Sequence, residues 1–342
     1  MKLLIVGSDK KYAIENFYVR YLRGSVEVSV FAAQSLFYDY YQRHILNKVI
    51  FKAGLSNVYT SINTTLKRKI AQENPDIIWV FKGMEIFPET LKWIRSRGII
   101  LVNYNPDNPF LFSGKGSGNG NITNSIGLYD VHFTYDRNIL QQLEQRYNAK
   151  TYLLPFGYDL SESDYGKYAA QAEVVKACFL GNPDEQRAAF LSEIAEELPL
   201  DVYGHNWERF LRHPNVTICE PVYREELWSA LRRYRVQINL MRPHNPESHN
   251  MRSFEVPGVG GILLAPDTSD HRMFFKEGEE IFIYKNVSAC IEQAKHLLSI
   301  GKDKADTIRT NARRRSVESG YSYESRAEQV LDHLNALLNG KA

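Results

Sequence analysis

Apolar residues in this chain fall into short runs of three to six, separated by longer stretches in which apolar positions recur every three or four residues. Short runs suit strands buried on both faces, and the longer period is that of amphipathic helices. Regular alternation of the two predicts βαβ units and parallel sheets. Strands are expected at residues 3–6, 26–31, 77–81, 99–102, 131–134 and 151–154, and again at 177–180, 200–203, 216–218, 236–240, 262–265 and 281–284. Helical stretches include 66–72, 89–95 and 137–145. A strong one at 323–338 carries Ala327, Val330, Leu331, Leu334, Leu337 and Leu338 on one face.

A length of 342 residues suits two domains of about 150 each. Residues 157–173 are polar, rich in Tyr, Ser, Asp and Gly, and lack a strand run, so they read as a linker. The expected division is a first domain over 1–158, a linker over 159–173, a second domain over 174–318 and a closing helix over 319–342.

Charge narrows the partners. The 42 basic and 40 acidic residues leave a net charge of +2, which is no electrostatic footprint for nucleic acid. Cys178, Cys219 and Cys290 form no CxxC pair, which fits a reducing compartment without structural zinc. The start reads as a strand and not a signal peptide, and no run nears the ~20 apolar residues of a membrane span. A cytoplasmic location is expected. Residues 36–59 are aromatic (Phe37, Tyr38, Tyr40, Tyr41, Phe51, Tyr59) and basic (Arg43, Lys48, Lys52). Packing on the sheet is the first expectation for them; peripheral contact with the inner face of a membrane is the alternative.

Chemistry concentrates where strands end, because ligands of open α/β sheets bind at the carboxyl edge. Glu247 and Glu255 stand eight apart, just before the 262–265 run. Amides at a helix start can hold a diphosphate, and a carboxylate about two turns in can accept both ribose hydroxyls. An acid near a helix start also simply complements the dipole. Glu255, however, lies among Phe254, Val256 and Val259, where unpaired burial is costly. Gly181-Asn182 and Gly204-His205 follow strands in the same way, with Arg187 in reach of a phosphate and His205 able to donate to a phosphate or sugar oxygen. Asp107, between Pro106 and Pro109, follows another strand end; turn chemistry alone would also explain it. The loop 113–121 fails the P-loop pattern, because Gly116 stands where Ser or Thr is required. It reads as a mobile acceptor-side loop.

The order of Gly7, Asn105-Pro106-Asp107, Leu154-Pro155-Phe156-Gly157, Phe179-Leu180-Gly181-Asn182, Tyr203-Gly204-His205-Asn206-Trp207, Arg252-Ser253-Phe254-Glu255 with Gly258, and Tyr323-Glu324-Ser325-Arg326-Ala327 resembles the CgeB-like (spore-maturation-type) glycosyltransferases. These belong to the GT-B superfamily that includes the family 4 enzymes. The resemblance implies an α/β, GT-B fold: two Rossmann-like domains facing across a cleft, with the final helix crossing back to the first. It implies that the second domain binds a nucleotide-diphosphate sugar, with Glu255 on the ribose and Glu247 near the sugar. Asn250, Met251, Arg252, Gly181, Asn182, Arg187, Gly204 and His205 would lie around the diphosphate, and Gly7 is assigned to the same ligand. His249-Asn250 stand where family 4 enzymes usually have glycines after the first Glu.

The implied activity is transfer of a sugar to a hydroxyl of a glycan, lipid-linked or protein acceptor. No cofactor is expected, and the absence of any Asp-x-Asp points to metal independence. Asp107 is the expected base if transfer inverts, with His205 and Glu247 as further catalytic candidates. A nucleotide-sugar epimerase and a non-catalytic sugar- or nucleotide-binding protein are the alternatives.

Overall fold

The computed structural model describes residues 1–112, 117–242 and 247–340. It divides into two compact units, Met1–Pro155 with Tyr323–Ala342, and Phe156–Ser322.

The first unit is built on β1 (Lys2–Val6), β2 (Glu27–Phe31), β3 (Ile77–Phe81), β4 (Ile100–Asn105), β5 (Val131–Thr134) and β6 (Thr151–Leu153). All pair in parallel, in the order β2-β1-β3-β4-β5-β6. The central strands are apolar on both faces because helices cover both; Leu4, Val6, Ile78, Val80 and Leu101 share one core. The second unit carries β7 (Val174–Leu180), β8 (Leu200–Tyr203), β9 (Val216–Cys219), β10 (Tyr234–Ile238), β11 (Leu263–Pro266) and β12 (Phe282–Tyr284). Its parallel order, read from one edge, is β9-β8-β7-β10-β11-β12. Counted within the unit this is 3-2-1-4-5-6, the Rossmann order, whereas the first unit has the flavodoxin-like 2-1-3-4-5 with a sixth strand added.

The strand order reverses between β1 and β3 in one unit, and between β7 and β10 in the other. Crevices for ligands open at such switch points, outside the carboxyl ends of the strands.

Two expectations change. Segment 157–173 is not a linker: it belongs to the second unit and forms the helix Glu162–Ala169, capped by Ser161. Ser229 Oγ donates to Gln171 Oε1 at 2.7 Å, tying it down further. It reads as a linker in sequence because most of this helix faces solvent and so carries polar residues. Second, the aromatic and basic stretch divides in two. Phe37, Phe51 and Tyr59 pack inward, with ring centroids 4.9 and 5.4 Å from Phe37. The helix Ile45–Lys52, to which Phe51 belongs, buries none of its residues fully, and Ile45, Leu46, Val49 and Leu55 are exposed.

Residues 113–116 of the glycine-rich loop lie outside the described residues. The rest of that loop is anchored, since Asn119 and Asn121 both donate to the Met84 carbonyl, at 2.9 and 2.7 Å. No helix among the described residues is long and apolar enough to cross a membrane. The helix Tyr323–Asn339 packs in the first unit, where Tyr323 stacks on Phe17 with centroids 4.5 Å apart.

Candidate functional site

At the switch point of the second unit, β7 is followed by Gly181, whose N–H donates to the Tyr203 carbonyl at 3.0 Å. The Gly181 carbonyl accepts from Trp207 Nε1 at 2.8 Å. Gly204, with φ +151°, passes so close to that carbonyl that a Cβ would strike it. Only glycine fits there, so the turns after β7 and β8 are locked together.

The helix Glu185–Glu197 follows, capped by Asp184 Oδ1, which accepts the Arg187 N–H at 2.9 Å. Arg187 is buried. Its Nη1 donates to the Asn182 carbonyl at 3.0 Å and its Nη2 to the Leu240 carbonyl at 2.8 Å, so the guanidinium spans the ends of β7 and β10. Nε has no hydrogen-bond partner, though Asp184 Oδ2 lies 3.6 Å away. Arg242 reaches the same carboxylate at 3.9 Å. Arg252 opens the helix Arg252–Gly258, pairs with buried Glu255, and also leaves Nε unpartnered.

Three guanidiniums thus face two carboxylates. Burial pushes Arg187 down to about 10, with Arg242 adding repulsion; burial pushes Arg252 to about 10 as well, with Arg187 acting in the same direction. An anion placed here would relieve the crowding and fill the unpaired N–H groups.

A buried polar network holds the start of helix Arg252–Gly258. His271 Nδ1 lies 2.8 Å from the Pro266 carbonyl, so it carries the proton, and Nε2 accepts from Ser253 Oγ at 2.8 Å. Burial pushes His271 down to about 4, which keeps it neutral. Asn250 Nδ2 donates to Asn239 Oδ1 at 2.7 Å, and the Asn250 N–H to Ser253 Oγ at 3.2 Å. His249, fully buried, bridges Asp270 Oδ2 (2.7 Å) and the Phe156 N–H (3.3 Å).

These contacts revise several expectations. Glu255 sits in the first turn of a seven-residue helix, not two turns in, because the helix starts only at Arg252. The amides of Asn250 and Ser253 are already engaged, Ser253 N–H with Asn250. Asn250 therefore acts as a brace, which leaves the guanidiniums as the groups able to donate to an anion. Met251 is the residue before the helix, half-buried. Asn182 is exposed and contributes its carbonyl. His205 is exposed, with Nε2 3.0 Å from Tyr223 OH, beyond β8 and one strand removed from the switch point. Glu247 is exposed; its carbonyl accepts from Ser269 Oγ at 3.4 Å, and no ion pair joins its side chain to Arg252 among the described residues.

Gly7 lies in the first unit, while the other residues expected to bind the nucleotide sugar lie in the second. A Cβ there would meet Glu15 Oε1 at 2.5 Å, so Gly7 makes room for a buried carboxylate of its own chain. Glu15 accepts the Ser8 N–H at 2.9 Å and is held above the usual carboxylate range by burial. Across the β1–β3 switch point, the turn after β3 takes Lys82 and Gly83 to φ +62° and +95° and leads to Glu85. Glu85 is buried and pushed up to about 7: burial dominates, Glu15 adds to it, and Lys82 pulls the other way. Lys82 Nζ pairs with Asp107 Oδ2 at 2.7 Å. Asp107 N–H donates to Asn105 Oδ1 at 3.0 Å, an Asx turn that fixes it at the end of β4.

Sequence reasoning missed Glu15, Lys82, Glu85, Asp184 and Arg242. Their signal was weak but present: each follows a strand's carboxyl end, Glu15 in the helix after β1 and the others within a few residues, three of them beside a glycine or proline.

Residues 186–332 match the family model described as Glycosyl transferase-like. No curated protein matches the sequence significantly. Among solved structures, sucrose-phosphate synthase from Thermosynechococcus elongatus aligns over 99% of this chain and 100% of its own, with a TM-score of 0.72 and 11% identity. HepE from Anabaena, in complex with UDP-glucose, aligns over 98% and 100%, with a TM-score of 0.62 and 15% identity. A Listeria monocytogenes structure provisionally assigned as a UDP-N-acetylglucosamine 2-epimerase aligns over 99% and 97%, with a TM-score of 0.61 and 14% identity. The shared fold is GT-B. The glycosyl transferase-like match falls on the second unit and the start of the closing helix.

Proposed function

We propose that the protein transfers a sugar from a nucleoside-diphosphate donor to an acceptor hydroxyl. The observation that carries this reading is the crowded guanidinium group at the β7–β10 switch point, two of whose members, buried Arg187 and half-buried Arg252, hold a buried Nε–H without a hydrogen-bond partner. The C1–O bond to the diphosphate breaks as the bond to the acceptor oxygen forms. Arg187 and Arg252 meet the charge that develops on the leaving diphosphate, and Glu255, shared with Arg252, accepts the ribose hydroxyls. His205, Glu247, Asn182 and Met251 line the outer part of this site. The glycosyltransferase-like domain match and the UDP-glucose held by HepE support the donor class. The order of short motifs supports the CgeB-like subtype.

The acceptor side is the β1–β3 edge. If transfer inverts, Asp107 takes the acceptor proton; if it retains, the leaving phosphate can take it. The exposed Ile45, Leu46 and Val49, with Arg43, Lys48 and Lys52 and no acid between 40 and 58, favour a lipid-linked acceptor presented at an anionic membrane surface. Co-sedimentation with anionic vesicles should be lost in Val49→Glu; equal sedimentation of variant and wild type would remove this part.

Epimerisation is the second reading, favoured by the Listeria relative. Thermal shifts with UDP, GDP, dTDP and CMP sugars identify the donor. Nucleotide release is then measured with and without acceptor glycans or lipids. Release that requires acceptor supports transfer; sugar interconversion without acceptor supports the epimerase.

A further inference from the structure

At the opposite end of the second unit's sheet, where β7 and β10 begin, lies a cavity of about 430 Å³ lined among others by Tyr165, Arg232, Lys302, Asp306, Arg309 and Thr310. Arg232 is 8% exposed and Arg309 2%. Arg232 Nη2 donates to the Ala169 carbonyl at 3.3 Å. Arg309 pairs with Glu173 at 2.5 Å and Asp306 at 3.1 Å. The Nε of each arginine is buried without a hydrogen-bond partner. Glu173 is not Arg309's alone, since Arg235 clasps the same carboxylate at 2.6 and 2.5 Å.

Four cations, Arg232, Arg235, Lys302 and Arg309, thus share two carboxylates, Glu173 and Asp306. Burial holds Arg232 below the usual guanidinium range, and the charge of Arg309 holds it lower still. Charges removed from water with unfilled N–H groups are costly to a fold unless a counter-ion completes them. Nothing in the transfer reaction uses this cavity.

We propose that this cavity binds a soluble phosphomonoester as an effector. Arg232 and Arg309 would grip the phosphate from two sides, with Lys302 at the mouth. A phosphate brings three terminal oxygens for these three cations, where a carboxylate brings two, and guanidinium forks match phosphate geometry. The volume falls within the range of small-molecule sites, roughly 300–1,000 Å³, so a small organic moiety fits beside the phosphate. A ligand here would stabilise the segment between Tyr165 and Glu173 against the helix Lys302–Glu318.

The test uses the full chain and inorganic phosphate as probe, with sodium chloride at matched ionic strength as control. Phosphate well above its Kd should raise the wild-type Tm by roughly 2–5 °C. The rise should shrink in Arg232→Gln and in Lys302→Gln, whose side chain is 72% exposed, so that its loss should leave the fold intact. Because Arg187 and Arg252 also attract phosphate, Arg252→Gln is the control and should keep the cavity's share of the rise. Crystals soaked in tungstate should show an anomalous peak between Arg232 and Arg309. An empty cavity at saturating tungstate overturns the proposal. So does a wild-type phosphate response in both cavity variants, or binding only to phosphatidic acid vesicles.

Discussion

Each unit has one point where strand order reverses, and the two points gather ionisable side chains of opposite kind. Between β7 and β10 stand Arg187, Arg242 and Arg252, with Asp184 and Glu255 in the minority. Between β1 and β3 stand Glu15 and Glu85, with Lys82 as the cation and Asp107 drawn toward it. Topology makes the crevice, and side chains delivered just after each strand decide what it attracts. In the function proposed above, the diphosphate sits at the first and the acceptor hydroxyl that must lose a proton at the second.

The comparison is broken most severely if Asp107 has no role in turnover. Asp107→Asn should lower turnover per folded molecule by roughly 10²–10⁴-fold if it is the base, while donor affinity stays near wild type. Turnover within a few-fold of wild type would reduce Asp107 to a partner for Lys82. Next in size, Glu255→Gln should weaken nucleotide binding by about 10–100-fold, through loss of a charged acceptor worth ~1.5–3 kcal/mol. Calorimetry on the folded variant decides this, and unchanged affinity would take the ribose away from Glu255.

The two crevices should also answer to pH in opposite ways. Glu85, raised to about 7 in the folded chain, contributes stability that is present at low pH and lost as pH climbs through 7. His271, lowered to about 4, contributes stability present above about 6.5 and lost as pH falls through 4. His132, also near 4, offsets Glu85 within the first unit. Calorimetric scans of Glu85→Gln should therefore show a Tm gain over wild type of roughly 3–6 °C near pH 8 that vanishes by pH 5. A gain independent of pH would mean Glu85 does not titrate there. The smallest expected effect is none at all: excess EDTA should leave turnover unchanged, and loss restored by magnesium or manganese would overturn metal independence.

How much of this was legible in the sequence depends on burial. All twelve strands were, because strands covered on both faces must be apolar throughout. Neighbour relations were not: nothing in Val236 or Ile238 says that β10 pairs with β7, so neither switch point could be located. Glu255 was singled out by its spacing from Glu247 and its apolar neighbours, Arg187 by its place after the Gly181-Asn182 strand end, and Arg252 by the family resemblance. Glu85 was missed because a single carboxylate four residues past a strand has no spacing partner. The start of helix Arg252–Gly258 was misplaced because the braces that delay it, Asn239 and His271, are distant in sequence.

The path of the chain between units has a consequence for synthesis on the ribosome. The second unit is one unbroken segment, Phe156–Ser322, entered beside its own exit: Tyr158 and Ser322 form a parallel bridge, and Tyr158 N–H donates to the Tyr321 carbonyl at 3.2 Å. The first unit is interrupted by it and finished only by the helix Tyr323–Asn339. Tyr323, Val330 and Leu334 of that helix are buried against the unit made earliest. Domains usually fold in the order they emerge. Here the part made first must hold an incomplete apolar face, around Phe17 and Tyr18, while the whole of the second unit is translated, and the later-born unit can reach its native state sooner.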